Sequence, residues 1–186
     1  HRNEGFGGPN VQWHSCDVSN GEQQAELLRQ IVDWRPSKIF YFIGGGPYGE
    51  FQTKSWKDHQ WAFNVSFLFP TQLLHQCMQT NQMEQMVFVG SAVAESSSDP
   101  RASSYCAAKH ALRGLVQSVQ AEIRQSPGKN DFDLRLYSPG YMDTQMLPKN
   151  ALPRREGMHI LDPHHVAQDL REWLAESEKN SCRIYL

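Results

Sequence analysis

The sequence predicts a doubly wound α/β domain, in which helices cover both faces of a parallel sheet. Short apolar runs of strand length alternate with longer amphipathic segments from one end of the chain to the other. The strand-like runs are too uniformly apolar to face water on either side, which is typical of strands in a helix-covered parallel sheet. At 186 residues the chain is long enough for one real core, and we expect a single domain over residues 1–186.

The predicted element order is β-α-β-α-β-α-β-α-β. Ser19 and Glu22 form a capping-box pattern at the start of the first helix. The second helix is predicted over residues 56–80 with a kink near Pro70, and the third over residues 105–125. Asp162 as N-cap and Pro163 as first residue open the last helix. The predicted strands are residues 11–14, 39–43, 86–89, 132–137 and 182–186.

Composition excludes several classes of partner. The formal net charge of −2 provides no basic surface for nucleic acid or an anionic membrane, so neither is expected as a partner. The four cysteines are far apart and form no CxxC motif, which favours reduced thiols in a cytoplasmic protein. The histidines near the last helix lack the partner set of a metal site, and no metal is expected.

A glycine pattern follows the second predicted strand, where Gly44, Gly46 and Gly49 spell GxGxxG. A dinucleotide fingerprint also needs a helix that opens at the glycines and an acidic residue about 20 positions further on. The next residues lack helical apolar periodicity, and no acid lies between Asp58 and Glu84. We therefore interpret the glycines as a turn that lets the backbone approach a neighbour or a ligand.

A second pattern, formed by Tyr105, Lys109 and Ser91, indicates a candidate site more clearly than the glycines do. Tyr105 and Lys109 form YxxxK at the start of a predicted helix, so they share one helical face one turn apart. Ser91 follows the strand at residues 86–89, at the carboxyl edge where open α/β sheets bind ligands. Other polar and turn residues stand in order around this group: Asn64 before it, and Pro139, Gly140 and Thr144 after it.

This ordered set resembles the short-chain dehydrogenase/reductase family. The matching residues are Asn64, Ser91, Tyr105-Cys-Ala-Ala-Lys109 and Pro139-Gly140-Tyr-Met-Asp-Thr144, with Asp17 after the first predicted strand. The resemblance covers essentially the whole chain. It implies an NAD(P)-binding Rossmann fold and hydride transfer between NADP(H) or NAD(H) and a small carbonyl or alcohol substrate.

The predicted chemistry centres on one phenol. Tyr105 would exchange a proton with the substrate oxygen, but a free phenol has a pKa of about 10, too high for neutral pH. The ammonium of Lys109 is expected to stabilise the phenolate and lower that pKa. Ser91 would polarise the same oxygen. The resemblance further implies that Lys109 binds the nicotinamide ribose and that Asn64 holds a water connecting Lys109 to solvent.

The resemblance also implies contacts with cofactor and substrate. Arg2 is placed to pair with a 2′-phosphate, so we expect NADP, with NAD as the other candidate. Tyr141 and Met146 are expected to join Ser91 and Tyr105 around the substrate, under a loop at residues 145–160. The expected cofactor-binding residues are Arg2, Asp17, Gly44, Gly45, Asn64, Tyr105, Lys109, Pro139, Gly140 and Thr144.

Two departures from the family stand out. Ile43-Gly44-Gly45 stands where the family has Asn-Ala-Gly, and the TGxxxGxG loop that seats the pyrophosphate on a helix N-terminus is absent. In the strand order 3-2-1-4-5-6, the strands at residues 11–14 and 39–43 would then lack ladder partners. We expect an N-terminal β-α-β stretch, on the order of 30 or more residues, to belong to the working protein.

The sequence also allows other functions for a protein of this fold. A non-catalytic nucleotide-sensing or interaction protein on the same fold is favoured by the absent glycine loop and opposed by the intact Ser91, Tyr105 and Lys109. A sugar-nucleotide epimerase is disfavoured because only about 40 residues follow Thr144. The resemblance implies a homodimer or homotetramer packed through the helices at residues 56–80 and 105–125, with Phe67 and Phe69 exposed.

Overall fold

The fold is taken from a computed structural model that describes residues 11–80, 83–95, 99–126 and 132–186. Four parallel strands form one sheet, in the same order as in the chain. They are β1 (Lys38–Tyr41), β2 (Gln85–Val89), β3 (Asp133–Pro139) and β4 (Cys182–Tyr185). Arg2 lies outside the described residues, so its expected contact with the cofactor stays a prediction.

Helices cover both faces of the sheet, as the apolar pattern predicts. Met86 and Phe88 of β2 point into the larger core, whereas Val87 between them joins the smaller core with Trp173. The larger core is closed by α1 (Gly21–Trp34), α3 (Phe69–Thr80) and α4 (Ser103–Gln125). The smaller is closed by α6 (Pro163–Ala175). Among the described residues, the remaining α-helices are α2 (Trp56–Phe63) and the short α5 (Leu152–Arg155), which lies in the loop predicted at residues 145–160. Two short 3₁₀ helices lie at Phe51–Thr53 and Ala92–Ala94.

The prediction of a strand at residues 11–14 is wrong. Residues 11–14 have no regular secondary structure, and Val11 and Trp13 are exposed. A strand needs a neighbour to satisfy its backbone groups, and within the described residues none pairs with this segment.

The next predicted strand is shorter and more exposed than its apolar run suggests. β1 ends at Tyr41 and is an edge strand, paired only with β2 within the described residues. Tyr41 is buried in the larger core, but Phe40 and Phe42 lie on the other face, stacked at a ring distance of 6.3 Å. Phe42 is 61% exposed, so the expectation that this run is buried on both faces is wrong. On this face, a groove separates β1 from α6, so the two aromatic rings remain partly exposed.

The first helix is capped by a different residue from the one predicted. The Asn20 side chain accepts hydrogen bonds from the backbone N–H groups of Glu22 and Gln23, at 3.0 and 3.1 Å. Ser19 is not the N-cap, because its hydroxyl donates to the Asp17 carboxylate at 2.7 Å. The predicted N-cap of the last helix is confirmed, since Asp162 accepts from His164 and His165 and Pro163 is the first helical residue.

The long helix predicted over residues 56–80 is interrupted by a π turn at Asn64–Leu68, between α2 and α3. The Phe69 N–H donates to the Asn64 carbonyl, and the turn ends just before Pro70, which has no N–H to donate. Phe69 is only 2% exposed and Phe67 packs against the larger core, so their expected exposure is wrong. In the described part of the chain, no helix is long and apolar enough to cross a membrane.

Candidate active site

A cavity of about 280 Å³ opens at the carboxyl ends of β1, β2 and β3. This is the edge where parallel sheets bind ligands, because the loops that follow the strands converge there. The structure brings many of the sequence-predicted site residues together in its wall. Those lining the cavity are Gly44, Gly45, Ser91, Tyr105, Gly140, Tyr141, Thr144 and Met146.

Ser91 and Tyr105 lie together in this wall, and the Ser91 hydroxyl is near enough to influence the Tyr105 phenol. Ser91 follows β2 after one glycine, Gly90, and has extended backbone geometry, whereas Tyr105 lies in the first turn of α4. Burial raises the pKa of Tyr105 and outweighs the hydrogen bond from Ser91, which lowers it. The phenol is therefore held in its protonated form.

Lys109 lies one turn behind Tyr105 and is only 2% exposed. Its Nζ donates to the Val89 carbonyl at 2.7 Å and lies 5.7 Å from the centre of the Tyr105 ring. Burial lowers the pKa of Lys109 to about 8, so the side chain is still mostly an ammonium at pH 7. The expected lowering of the Tyr105 pKa by Lys109 is not seen: burial raises this pKa, and the lowering influence on it comes from Ser91.

The glycines after β1 allow this arrangement by close packing. A Cβ atom on Gly44 would lie 2.8 Å from the Lys109 Nζ, and one on Gly46 would lie 2.9 Å from the Tyr105 Cβ. On Gly45 it would lie 2.5 Å from the Trp61 ring. The interpretation of these glycines as a close-approach turn is confirmed, because the turn places backbone without side chains beside Tyr105 and Lys109.

Substituting Gly46 tests this packing. Gly46→Ala is expected to lower the free energy of unfolding by about 1–3 kcal/mol, because the new methyl group meets the α4 backbone at Tyr105 as well as its Cβ. Gly114→Ala, in the middle of α4 with no atom within 4 Å of the added Cβ, is the matched control. It should raise the same free energy by about 0.5–1 kcal/mol. Urea denaturation measures the free energy of unfolding of both variants. Equal changes in the two variants would contradict close packing at Gly46.

Two other predicted residues lie away from the cavity. Asn64 begins the π turn, and its amide donates to the Ser19 carbonyl at 3.3 Å and accepts from Gln24 at 3.4 Å. Its side chain therefore ties the second helix to the start of α1, and its proposed water-holding role stays a prediction. The exposed Asp17 carboxylate accepts from the N–H and hydroxyl of Ser19, which lowers its pKa and closes the turn before α1.

Pro139 ends β3 and faces the groove between β1 and α6, not the cavity. Its neighbour Gly140 does line the cavity, and the Gly140 N–H donates to the Tyr185 carbonyl at 2.8 Å. This bond fixes the end of β3 against β4. The contact expected of Pro139 with a cofactor stays a prediction.

Sequence reasoning missed several residues of the cavity wall, among them Tyr48, Trp61 and Asp99. Asp99 is 5% exposed, and its carboxylate accepts from the Tyr141 hydroxyl at 3.2 Å. The Tyr48 hydroxyl accepts from the Leu152 N–H at 2.8 Å and so ties the glycine turn to α5. Asp99-Pro100 is a turn signal in the sequence, but no local pattern indicates that its carboxylate reaches a cavity.

A family model described as short chain dehydrogenase matches residues 3–154. The chain therefore belongs to the short-chain dehydrogenase/reductase family, and the predicted family and enzyme class are confirmed. Among curated protein sequences, none matches the chain.

Solved structures of the same fold agree with this assignment. A short-chain dehydrogenase from Streptomyces avermitilis has 18% identity and a TM-score of 0.75, over 93% of this chain and 70% of that one. An alcohol dehydrogenase from the archaeon Thermococcus sibiricus, complexed with 5-hydroxy-NADP, has 19% identity and a TM-score of 0.74, over 92% and 72%. A 4-hydroxyisoleucine dehydrogenase complexed with NADH has 17% identity and a TM-score of 0.71, over 91% and 75%. At these identities the likeness shows the fold, and the predicted Rossmann fold is confirmed.

Proposed function

We propose that this protein transfers a hydride between NADP(H) or NAD(H) and a small carbonyl or alcohol, with Tyr105 as the acid/base. The observation that carries the proposal is that Ser91 and Tyr105 lie together in the cavity wall, with the Lys109 ammonium buried one turn behind Tyr105. A protein that only binds a nucleotide needs no buried phenol paired with an ammonium. The geometry therefore favours catalysis over the non-catalytic alternative.

The cavity fits the nicotinamide end of such a cofactor. Gly44 and Gly45 present backbone without side chains on one side, and Gly140 and Thr144 lie on another. A side chain at Gly44 would occupy the space next to Lys109, the residue proposed to hold the ribose hydroxyls. The bound cofactor would supply the hydride. The dehydrogenases crystallised with 5-hydroxy-NADP and with NADH show that both cofactor types occur on this fold. Our preference for NADP depends on Arg2.

In the direction of reduction, Tyr105 and Ser91 both donate hydrogen bonds to the substrate oxygen. As negative charge develops on that oxygen, the Tyr105 hydroxyl gives up its proton to it. Ser91 keeps the oxygen oriented and stabilises its charge. The raised pKa of Tyr105 ensures that the proton is present at neutral pH, and the Lys109 ammonium stabilises the phenolate left behind.

The cavity limits the size and polarity of the substrate. Its volume of about 280 Å³ lies just below the range for small-molecule sites, roughly 300–1,000 Å³. Apolar side chains form much of the wall beyond the catalytic pair: Val93, Met142, Met146, Leu147 and Pro148. We propose a small and partly apolar carbonyl compound, held under the loop that carries Met146 and Leu147.

Activity is tested by following the absorbance of NADPH and NADH with a panel of ketones, aldehydes and quinones, using the full-length protein. Ser91→Ala should lower kcat by about 10²–10³-fold, as expected for loss of one donor to the developing oxyanion. Ser126→Ala, at the far end of α4, is the control and should leave kcat unchanged. Tight NADPH binding without turnover of any compound would support the non-catalytic alternative instead.

We further propose that the protein assembles as a homodimer or homotetramer through the α2–α4 face. Large exposed apolar side chains lie on this side of the molecule, and a groove there is lined by both helices. They are Phe51, Trp56, Trp61 and Leu68. Light scattering of the full-length protein should give the mass of at least two subunits, and Trp56→Glu should shift it towards the monomer.

A further inference from the structure

Asp99 places a buried carboxylate in the wall of a cavity that is otherwise mostly apolar and aromatic. It lies in the loop before α4 and is 5% exposed. One carboxylate oxygen accepts from the Arg101 N–H at 2.9 Å and the other from the Tyr141 hydroxyl at 3.2 Å. Neither donor is a cation, and within the described residues no basic side chain forms an ion pair with Asp99.

A buried carboxylate without a cation is costly, because it loses hydration that two neutral hydrogen bonds only partly replace. A carboxylate has about four lone-pair sites, so Asp99 can accept further donors from the cavity. The hydrogen bond from Tyr141 fixes the carboxylate between the two loops that form this wall. The site therefore has unused capacity for a positively charged hydrogen-bond donor.

Aromatic residues surround the same space. Tyr48, Trp61, Tyr105 and Tyr141 all line the cavity together with Asp99. Aromatic rings attract organic cations, and aromatic groups combined with a carboxylate are suited to bind an ammonium group. Such a site favours an ammonium over a neutral group of the same size.

From this combination we infer that the substrate is an amino-substituted carbonyl compound whose ammonium group binds Asp99 while Ser91 and Tyr105 hold its carbonyl oxygen. The inference rests on the proposed function and adds the substrate class. Asp99 would thereby determine specificity without taking part in proton transfer.

The test compares meta- and para-(aminomethyl)acetophenone with the ethylacetophenones, in which a methyl group replaces the ammonium. Wild-type full-length protein should show a kcat/KM about 10–100-fold higher for one of the amino ketones, as expected for a charge-assisted hydrogen bond. Asp99→Asn retains an acceptor for the Arg101 N–H but loses the charge. It should lower kcat/KM for that amino ketone by about 10–100-fold and change the value for its neutral partner by less than about threefold.

Asp143→Asn is the matched control. Asp143 lies between the cavity residues Met142 and Thr144, but its side chain is 66% exposed and its carboxylate is paired with Arg154. It should leave the preference for the amino ketone unchanged. Tyr141→Phe is a second variant that keeps the Asp99 carboxylate, and it should retain the preference. Equal kcat/KM for both ketones in the wild type, or a parallel loss for both in Asp99→Asn, would overturn the inference and leave Asp99 as a turn residue.

Calorimetric binding of the corresponding amino alcohols separates this inference from the proposed function. The wild type with NADP should bind the amino alcohol at least about tenfold more tightly than its neutral isostere, and Asp99→Asn should abolish the difference. Absence of turnover with every carbonyl would contradict the proposed function, while this binding difference would still support the role of Asp99. Turnover that depends on Tyr105, without any binding difference, would contradict only the role of Asp99.

Discussion

Tyr105→Phe is expected to lower kcat/KM for carbonyl reduction by about 10²–10⁴-fold at neutral pH, the usual contribution of a positioned general acid. The substitution removes only the phenol hydroxyl, so the ring should still fill its place in the wall of the cavity. Affinity for NADPH should therefore change little. Steady-state kinetics and fluorescence titration of NADPH measure the two quantities on the same preparation.

Tyr41→Phe provides the control, because Tyr41 is another buried tyrosine whose hydroxyl donates to the Val65 carbonyl at 2.6 Å, away from the cavity. Its loss should lower the free energy of unfolding by about 1 kcal/mol and leave kcat/KM unchanged. Retention of wild-type kcat/KM in Tyr105→Phe would mean that another group delivers the proton.

Lys109→Met is expected to change activity and stability in opposite directions. Loss of the ammonium removes the charge that stabilises the Tyr105 phenolate, and kcat should fall by about 10²-fold or more. Burial lowers the pKa of Lys109 from its usual 10.5 to about 8, so the folded protein bears the cost of a buried charge below pH 8. Replacing the lysine with methionine removes that cost, and the variant should be at least as stable as the wild type at pH 7.

The same pKa shift predicts how stability depends on pH. Between pH 8 and 10.5, Lys109 is protonated in the unfolded chain but has lost its proton in the folded protein. The contribution of Lys109 to the free energy of unfolding therefore increases as pH rises through this range. The gain is at most about 3 kcal/mol over this range. Urea denaturation at pH 7 and pH 10 should show the wild type gaining stability relative to Lys109→Met. Lys57→Met, at an exposed position of α2, is the control and should show no such change. If the difference in free energy of unfolding between the wild type and Lys109→Met were the same at pH 7 and pH 10, this would argue against burial of the Lys109 side chain.

The parts of the fold that the sequence predicts well depend on local patterns. The strand at residues 86–89 lies within β2, and the helical spacing of Leu112 and neighbouring apolar residues matches the buried face of α4. Tyr105 and Lys109 are one turn apart in any helix, so their common face follows from spacing alone. Ser91 reaches the same site because it lies just beyond the carboxyl end of a parallel strand.

The errors arise where the structure depends on neighbours distant in sequence. Residues 39–43 are as apolar as a fully buried strand, but burial of Phe40 and Phe42 depends on which elements cover that face. Likewise, Ser19 and Asn20 are both good N-caps, and the choice follows from the bond between Ser19 and Asp17. No local sequence pattern predicts a role for Asp99, because its place in the cavity depends on a contact with Tyr141, 42 positions away in the chain.

The central claim is direct hydride transfer at the Tyr105 site, and isotope transfer tests it most directly. NADPH deuterated at the transferable position of its nicotinamide is incubated with the full-length protein and its best ketone, and the alcohol is analysed by mass spectrometry. We predict one deuterium on the carbinol carbon, formed at least about 10²-fold more slowly by Tyr105→Phe than by the wild type. An alcohol without deuterium, or equal rates for the two proteins, would contradict this account.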